Sequence, residues 1–370
     1  MVILVMATRR AESIAARWTW RLLVGAIMLA APLAAQSAGR DAGEETLWRA
    51  VAGLRQHPQP ASQPYVERLA DLRRCNAEII DQATAYLALY PGGAHRDEII
   101  RIELAARFEL ASLSADTLPA FTQRLRDVLK NPPSRESGAE AAFWKIHADR
   151  MTPQSATQPV GALRSPSDPS LIAAYRDFVR DYPSARHTPR LAQLVFEDAA
   201  DRGERETMRA MLNVLEASFP EHPTTQRLAG LLRRVEQAGQ GFELSFVAAD
   251  GRLVNLSALR GGPIAVVVWA ASDLSSLRAM EWLHARPASD SALHVIGVNL
   301  DDSPARMRAS MSEREITWPQ LHDGMGWGGE FVRRWAVEKL PTVFVIDARG
   351  RLVGVSSKQD EWQGWLMARP

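Results

Sequence analysis

The sequence predicts two architectures in one chain, an α-helical N-terminal region followed by a C-terminal α/β domain from about residue 241 to 370. Three observations carry this. Between Tyr65 and Tyr90 the apolar residues Val66, Leu69, Leu72, Ile79, Ile80, Ala83 and Leu87 recur at three- and four-residue spacing, the period of an amphipathic helix. Near Gly241 that period gives way to short apolar runs divided by Gly, Asp and Pro. Pro263–Ala270 (PIAVVVWA) is then an unbroken, β-branched run, as expected of a strand buried on both faces. With 370 residues, 46% of them hydrophobic and 24% charged, the chain is long enough for two or three domains and ordinary in composition.

The first 35 residues read as an export signal. Arg9, Arg10, Arg17 and Arg21 precede a 14-residue apolar run, Leu22–Ala35, and small residues follow at Ser37 and Ala38. Basic, apolar and small in that order is the pattern of a secretory signal peptide, with cleavage after Ala35 or Ala38 both compatible. The run is shorter than the ~20 residues that cross a bilayer. The chain is therefore expected to be exported, periplasmic or extracytoplasmic, with no membrane span once the signal is removed. Without residues 1–35 the chain keeps 40 basic and 42 acidic side chains, a net charge of −2, which leaves no electrostatic footprint for nucleic acid. Oxidising compartments favour paired cysteines, yet Cys75 is the only cysteine, so no internal disulfide and no two-cysteine cycle is available.

Helices are predicted over 65–90, 97–110 and 118–129, closing at Pro91-Gly92-Gly93 and Asn131-Pro132-Pro133, within a helical region of residues 45–150. Residues 151–168, rich in Pro, Ser, Thr and Gln, read as a linker or long loop. Residues 169–240 contain four more helices, over 169–182, 188–201, 204–219 and 224–238. Tyr90-Pro91, Tyr182-Pro183 and Phe219-Pro220 each close a helix, and the last two pairs are 37 residues apart. The segment from Leu171 to Phe196 resembles tetratricopeptide-like repeats of bacterial envelope proteins, with an irregular bundle as the alternative.

In the C-terminal domain, strands are expected over 242–248, 263–270, 293–300, 340–347 and 351–356, with helices over 276–285 and 305–313 and a hairpin turn at Asp250-Gly251. The alternation implies a mainly parallel sheet covered on both faces. Several segments, in this order, carry a family likeness: Asp250-Gly251 with Leu253 to Gly261, Val267-Val268-Trp269-Ala270, Val295 to Asp301, Trp318-Pro319 with Asp323-Gly324, and Lys339-Leu340-Pro341-Thr342 to Gly350. Together they resemble the thioredoxin-like superfamily, in its exported TlpA/ResA-like thiol–disulfide oxidoreductase branch, near the alkyl hydroperoxide reductase/thiol-specific antioxidant group.

That resemblance implies a Cys-x-x-Cys pair shortly after Trp269-Ala270. Aligned there, the two positions hold Asp273 and Ser276. A cysteine pair works through a thiolate stabilised at a helix N-terminus, which attacks a disulfide. Neither a carboxylate nor a hydroxyl can do so. Asp273 is read either as the N-cap of its helix or as a carboxylate poised toward a ligand. The resemblance further implies a cis bond before Pro341, with the Leu340 backbone and Thr342 at an edge that pairs with an extended peptide, or else a cis turn needed only to build the sheet. Cys75 reads as an inert thiol, with redox action in trans as the alternative. His284, His294 and His322 show no metal-ligand spacing, and the glycines at 324–329 lack the Lys-Ser/Thr of a phosphate loop, so no cofactor or metal is expected. The expectation is a redox-inactive binding or scaffolding module with a protein or peptide partner in the cell envelope. A thiol–disulfide oxidoreductase or peroxidase-type antioxidant protein, drawing on Cys75 or a partner thiol, is the alternative.

Overall fold

The computed structural model describes residues 33–55, 64–151, 168–286 and 293–368. The export signal expected over 1–35 therefore lies outside the described residues, apart from its last three positions, which open a helix. Most of the linker expected over 151–168 lies outside them as well. The chain divides into two compact units, Met1–Ser165 and Pro166–Pro370. Helices 169–240 thus share a unit with the α/β domain. Among the described residues no helix is long and apolar enough to cross a membrane.

The first unit contains α1 (Leu33–Arg55), α2 (Tyr65–Leu89), α3 (Arg96–Leu113), α4 (Leu118–Lys130) and α5 (Arg135–Ala148). Helix α3 is buried on two sides. Ile99, Ile102 and Ala106 meet Val51, Ile79 and Tyr86, while Ile100, Leu104 and Ala111 meet Phe121, Leu125 and Ala141. Tyr86 donates to the Glu44 carboxylate at 2.5 Å, and Trp48 stacks on His95 with ring centroids 4.1 Å apart, tying α1 to the α2–α3 hairpin. Buried Glu103 is matched by Arg107 at 2.8 Å and Arg124 at 2.7 Å.

The second unit opens with α6 (Pro169–Asp181), α7 (Thr188–Arg202), α8 (Arg205–Ser218) and α9 (Pro223–Gln237), each packed on the next. The aromatic-proline helix endings share one geometry. Tyr90, Tyr182 and Phe219 are C-caps at φ/ψ of −126/63°, −128/60° and −141/53°. Each carbonyl accepts from the N–H three residues on, at Gly93, Ala185 and His222, whose own carbonyls accept from Arg96, Thr188 and Thr225. Thr188 and Thr225 also donate their hydroxyls back to Tyr182 and Phe219, at 2.6 and 2.7 Å. The faint sequence repeat is therefore a repeated interhelical turn.

Beyond α9 come β1 (Ser245–Val247), β2 (Leu253–Asn255), β3 (Ile264–Trp269), α10 (Leu274–His284), β4 (His294–Asn299), α11 (Pro304–Glu313), β5 (Gln320–Leu321), α12 (Glu330–Arg334), β6 (Thr342–Ile346), β7 (Leu352–Ser356) and α13 (Gln359–Met367). Strands β1 and β2 form an antiparallel hairpin, and the remaining five form one sheet in the order β5-β4-β3-β6-β7. The expectation of a mainly parallel sheet is corrected here. Strands β3, β4 and β5 are parallel, but β6 runs antiparallel to β3 and β7 antiparallel to β6. Alternation of helix and strand implies parallel strands only where the helix carries the chain back across the sheet. Five-residue α12 leaves β6 entering from the opposite end, and the tight Asp347–Gly350 turn obliges β7 to reverse.

Every residue of β3 is buried, and its alternation feeds two cores. Ile264, Val266 and Val268 face Phe331, Trp335 and Phe344, while Ala265, Val267 and Trp269 face Met280, Met307 and Trp362. The strand expected at 242–248 shrinks to three residues because Phe242 is used otherwise. Its N–H bonds Gly350 at 2.9 Å and its ring packs 5.1 Å from Trp335.

Helix α9 is fastened to the segment that leads into β6. Arg234 donates to the carbonyls of Trp335 and Ala336 at 2.5 and 2.6 Å, Arg233 donates to that of Arg334, and Arg227 pairs with Glu338 and Glu197. Burial pulls the Arg234 guanidinium down to about 10. Gly230 makes this approach possible, since a Cβ there would lie 2.6 Å from the Ala336 methyl.

Candidate functional site

The candidate site forms where β3 and β4 end and β6 begins. β3 and β4 run in the same direction, so Trp269 and Asn299 finish side by side. β6 is antiparallel, so Thr342 starts beside Val268. The peptide bond between Leu340 and Pro341 is cis, and Thr342 donates its hydroxyl to the Lys339 carbonyl at 2.7 Å. Pro341 and Thr342 are buried, whereas Leu340 is half-buried against the core.

From Trp269 the chain turns through Ala270–Ser272 into α10. Asp273 is the N-cap of that helix, its carboxylate accepting the Ser276 N–H at 2.6 Å. Asp favours this position because its short side chain satisfies an amide that the helix leaves unbonded. Ser276 lies one turn in and is fully buried, with no hydrogen-bond partner for its hydroxyl among the described residues. No sulfur atom stands at either place.

A buried polar layer beneath this turn went unread in the sequence. The Asp301 carboxylate accepts the Ala271 N–H at 3.0 and 3.1 Å and the Asn299 side-chain amide at 2.6 Å. Its carbonyl accepts from His322 at 2.8 Å. The Trp269 indole donates to Gln320 at 2.8 Å, and the Gln320 carboxamide lies over Gly297, where a Cβ would approach within 1.8 Å. This layer holds the 270–273 turn against the end of β4. The only signal available for it was a run of polar residues, Asn299 and Asp301, closing an otherwise apolar strand.

The structure thus brings Trp269, Asp273, Ser276, Leu340, Pro341 and Thr342 to one end of the sheet. Leu274, exposed at the first turn of α10, adds an apolar side chain there. Cys75 belongs to the other unit and lies on α2, where its thiol donates to the Leu54 carbonyl at 3.3 Å. Burial, then the neighbouring Glu78 and Glu109, push that thiol up from its ordinary range. His284 and His294 lie at the opposite end of the strands, and among the described residues no cluster of side chains could hold a metal ion.

A mixed sheet in this order, with a helix leaving the central strand beside a cis-proline, defines a thioredoxin-like domain. Consistent with that, residues 234–364 match the family model described as Redoxin. No curated protein matches the chain. Among solved structures, the domain is similar to a thiol-disulfide oxidoreductase from Bacteroides fragilis, at 18% identity over 34% of this chain and 96% of that one, TM-score 0.31. It is similar to a secreted Mycobacterium tuberculosis disulfide oxidoreductase at 18% identity over 34% and 96%, TM-score 0.30. StoA from Bacillus subtilis is a third, at 12% identity over 34% and 98%, TM-score 0.28.

Proposed function

We propose that the C-terminal domain is a redox-inactive thioredoxin-like binding module, exported to the cell envelope, that holds an extended protein segment without exchanging disulfides with it. One observation carries the reading: at the turn where this fold places its reacting sulfurs stand Asp273, occupied as the cap of its own helix, and Ser276, sealed in the core. Thiol–disulfide exchange and peroxide reduction both need a nucleophilic thiolate. Residues 241–370 contain no cysteine to supply one. The Leu340–Thr342 edge is the surface on which the bound segment would lie. The helical region offers a further scaffolding surface, as stacked helix pairs do. Cys75 does not favour the oxidoreductase alternative, because burial raises its thiol pKa and so holds its thiolate population down.

The test is insulin reduction and peroxide turnover by the protein beside its Cys75→Ser variant. Neither is expected to turn over either substrate above the uncatalysed rate. Introducing the pair Asp273→Cys/Ser276→Cys is expected to give the domain dithiol-dependent insulin reduction. Turnover by the unaltered chain would overturn the reading, and its loss in Cys75→Ser would assign the activity to Cys75.

A further inference from the structure

The end of the sheet that carries the Asp273 turn exposes three large apolar side chains, Leu274, Met325 and Trp327, at 70, 66 and 52%. Leu274 opens α10, just after the turn that leaves β3. Met325 and Trp327 belong to a glycine-rich loop at the end of β4. Gly326 sits so close there that a Cβ would lie 3.4 Å from the Leu300 carbonyl oxygen and 3.7 Å from the Asp302 carboxylate. The loop and the turn share one support, because Asp301 takes the Ala271 N–H on its carboxylate and His322 on its carbonyl. The loop is also braced internally. The Met325 N–H bonds the Asp323 carboxylate at 2.9 Å, the Gly328 N–H bonds the Met325 carbonyl at 2.9 Å, and the Gly329 N–H bonds that of Gly326 at 3.1 Å. Gly324 and Gly326, at φ of 72° and 52°, supply conformations that other residues rarely adopt. Met325 and Trp327 are thus held out by a fixed backbone rather than left out by a slack one.

We infer that the segment held at the Leu340 edge is anchored by a large apolar side chain, aromatic above all, packed on Leu274, Met325 and Trp327, with a basic residue next to it. This rests on the binding function proposed above and names the class of segment it takes. Single exposed apolar residues are ordinary, but a group of them around one edge marks an interaction surface. Three side chains are far too few for a folded partner, whose interface covers ~1,200–2,000 Å². They match one or two side chains of an extended chain. The end of β4, the end of β3 and the start of β6 are neighbours in the sheet. The loop, Leu274 and Leu340 therefore span two strand spacings, ~10 Å, the reach of about three extended residues. Trp and Met suit such an anchor, since an indole offers a broad apolar face and a thioether adapts to the ring laid on it. Charge sets the neighbouring residue. Asp302 and Asp323 flank the loop, exposed, and among the described residues neither is ion-paired, not even with Arg306 on α11. Lys339 stands on the β6 side, beside Leu340. A Lys or Arg at the loop end of the segment meets two carboxylates, where an acidic residue would be repelled.

Fluorescence anisotropy of labelled Ser/Thr-rich peptides, titrated with the full chain, tests this. Three peptides differ only at their centre, which is Phe-Lys, Ala-Lys or Phe-Glu. Phe-Lys is expected to bind saturably, Ala-Lys about ten-fold more weakly and Phe-Glu several-fold more weakly. Met325→Ser/Trp327→Ser, at exposed positions where the fold has little to lose, is expected to erase the advantage of Phe-Lys over Ala-Lys. Asp302→Asn/Asp323→Asn, which keeps an acceptor for the Met325 N–H, is expected to erase its advantage over Phe-Glu. Equal binding of all three peptides would overturn this inference and leave the proposed function standing. Binding of none would overturn both. An advantage of Phe-Lys over Ala-Lys that survives Met325→Ser/Trp327→Ser, or that disappears in Val247→Ser/Leu253→Ser on the exposed β1–β2 hairpin, would place the anchor elsewhere and overturn the inference.

Discussion

The side chain that Asp273 contributes does local work with a measurable size. Its carboxylate bonds the Ser276 N–H at 2.6 Å, and an N-cap of this kind contributes ~1 kcal/mol. Asp273→Ala is expected to lower the urea-unfolding free energy of its unit by about that amount, and Asp273→Ser to leave most of it in place. Gly297 is held by a different constraint. Any Cβ there meets the Gln320 carboxamide, which is itself held by the Trp269 indole. Gly297→Ala is expected to expel Gln320, orphan a buried indole N–H and cost ~1–3 kcal/mol, read as a lower denaturation midpoint with an unchanged m-value. The raised pKa of Cys75 predicts slow modification by a disulfide reagent at pH 7, accelerating with each step toward pH 9 as the thiolate forms. Trp269, Asp273 and Pro341 were legible in the sequence because each sits in a local pattern: the end of an apolar run, the start of a helix, the residue before a strand. Asn299, Asp301 and Gln320 were not, because their roles arise only when strands far apart in the chain meet. Trp269 and its acceptor are separated by 51 positions.

Among the elements, most of the helices were legible. Helices α2–α4 and α6–α9 were all expected from the sequence, α2 from its apolar period, and their ends fall within three residues of the expected bounds. Helix α5 lies within the helical region expected over 45–150 but was not delimited, because its buried face includes Ser137, Gly138, Ala139 and Ala141, small residues that give no hydrophobic stripe. Helix α13 escaped because a single residue, Trp362, carries its burial. Sheet direction was also out of reach, since apolar runs carry no sign of the direction in which a strand enters. The most consequential element contact is that of α9. Three arginines on that helix take up carbonyls and a carboxylate of residues 334–338, just before the cis-proline. Carbonyls at a helix end need such partners once they leave water. Arg234→Ala is expected to destabilise the unit by ~1.5–3 kcal/mol, with faster amide exchange confined first to residues 334–342. Arg234→Lys should recover only part of this, because one ammonium cannot reproduce the fork that reaches both carbonyls.

At the scale of the whole chain, the division between Ser165 and Pro166 differs from the composition boundary near Gly241. Composition marks where helix gives way to sheet. It is blind to whether the two are packed together. Here they are: the Gly239 N–H bonds the Leu352 carbonyl at 2.8 Å, the Leu352 N–H bonds Gln240 at 2.9 Å, and so the segment leaving α9 covers part of the sheet edge at β7. An edge left open invites pairing with other chains. A fragment beginning at Gly241 is therefore expected to melt lower and aggregate more readily than one beginning at Pro166, as calorimetry and light scattering would show.

The absence of sulfur around the Asp273 turn has a consequence for the conditions under which this domain can work. A dithiol site has two chemical forms, and the surrounding potential decides which is present. A carboxylate and a hydroxyl have no such pair of forms. Under the binding function proposed above, the hold of the Leu340 edge on its segment should be indifferent to whether the medium is oxidising or reducing, and the melting temperature of the second unit should be the same in either. In that function the turn is a fixture, where a dithiol would be a switch.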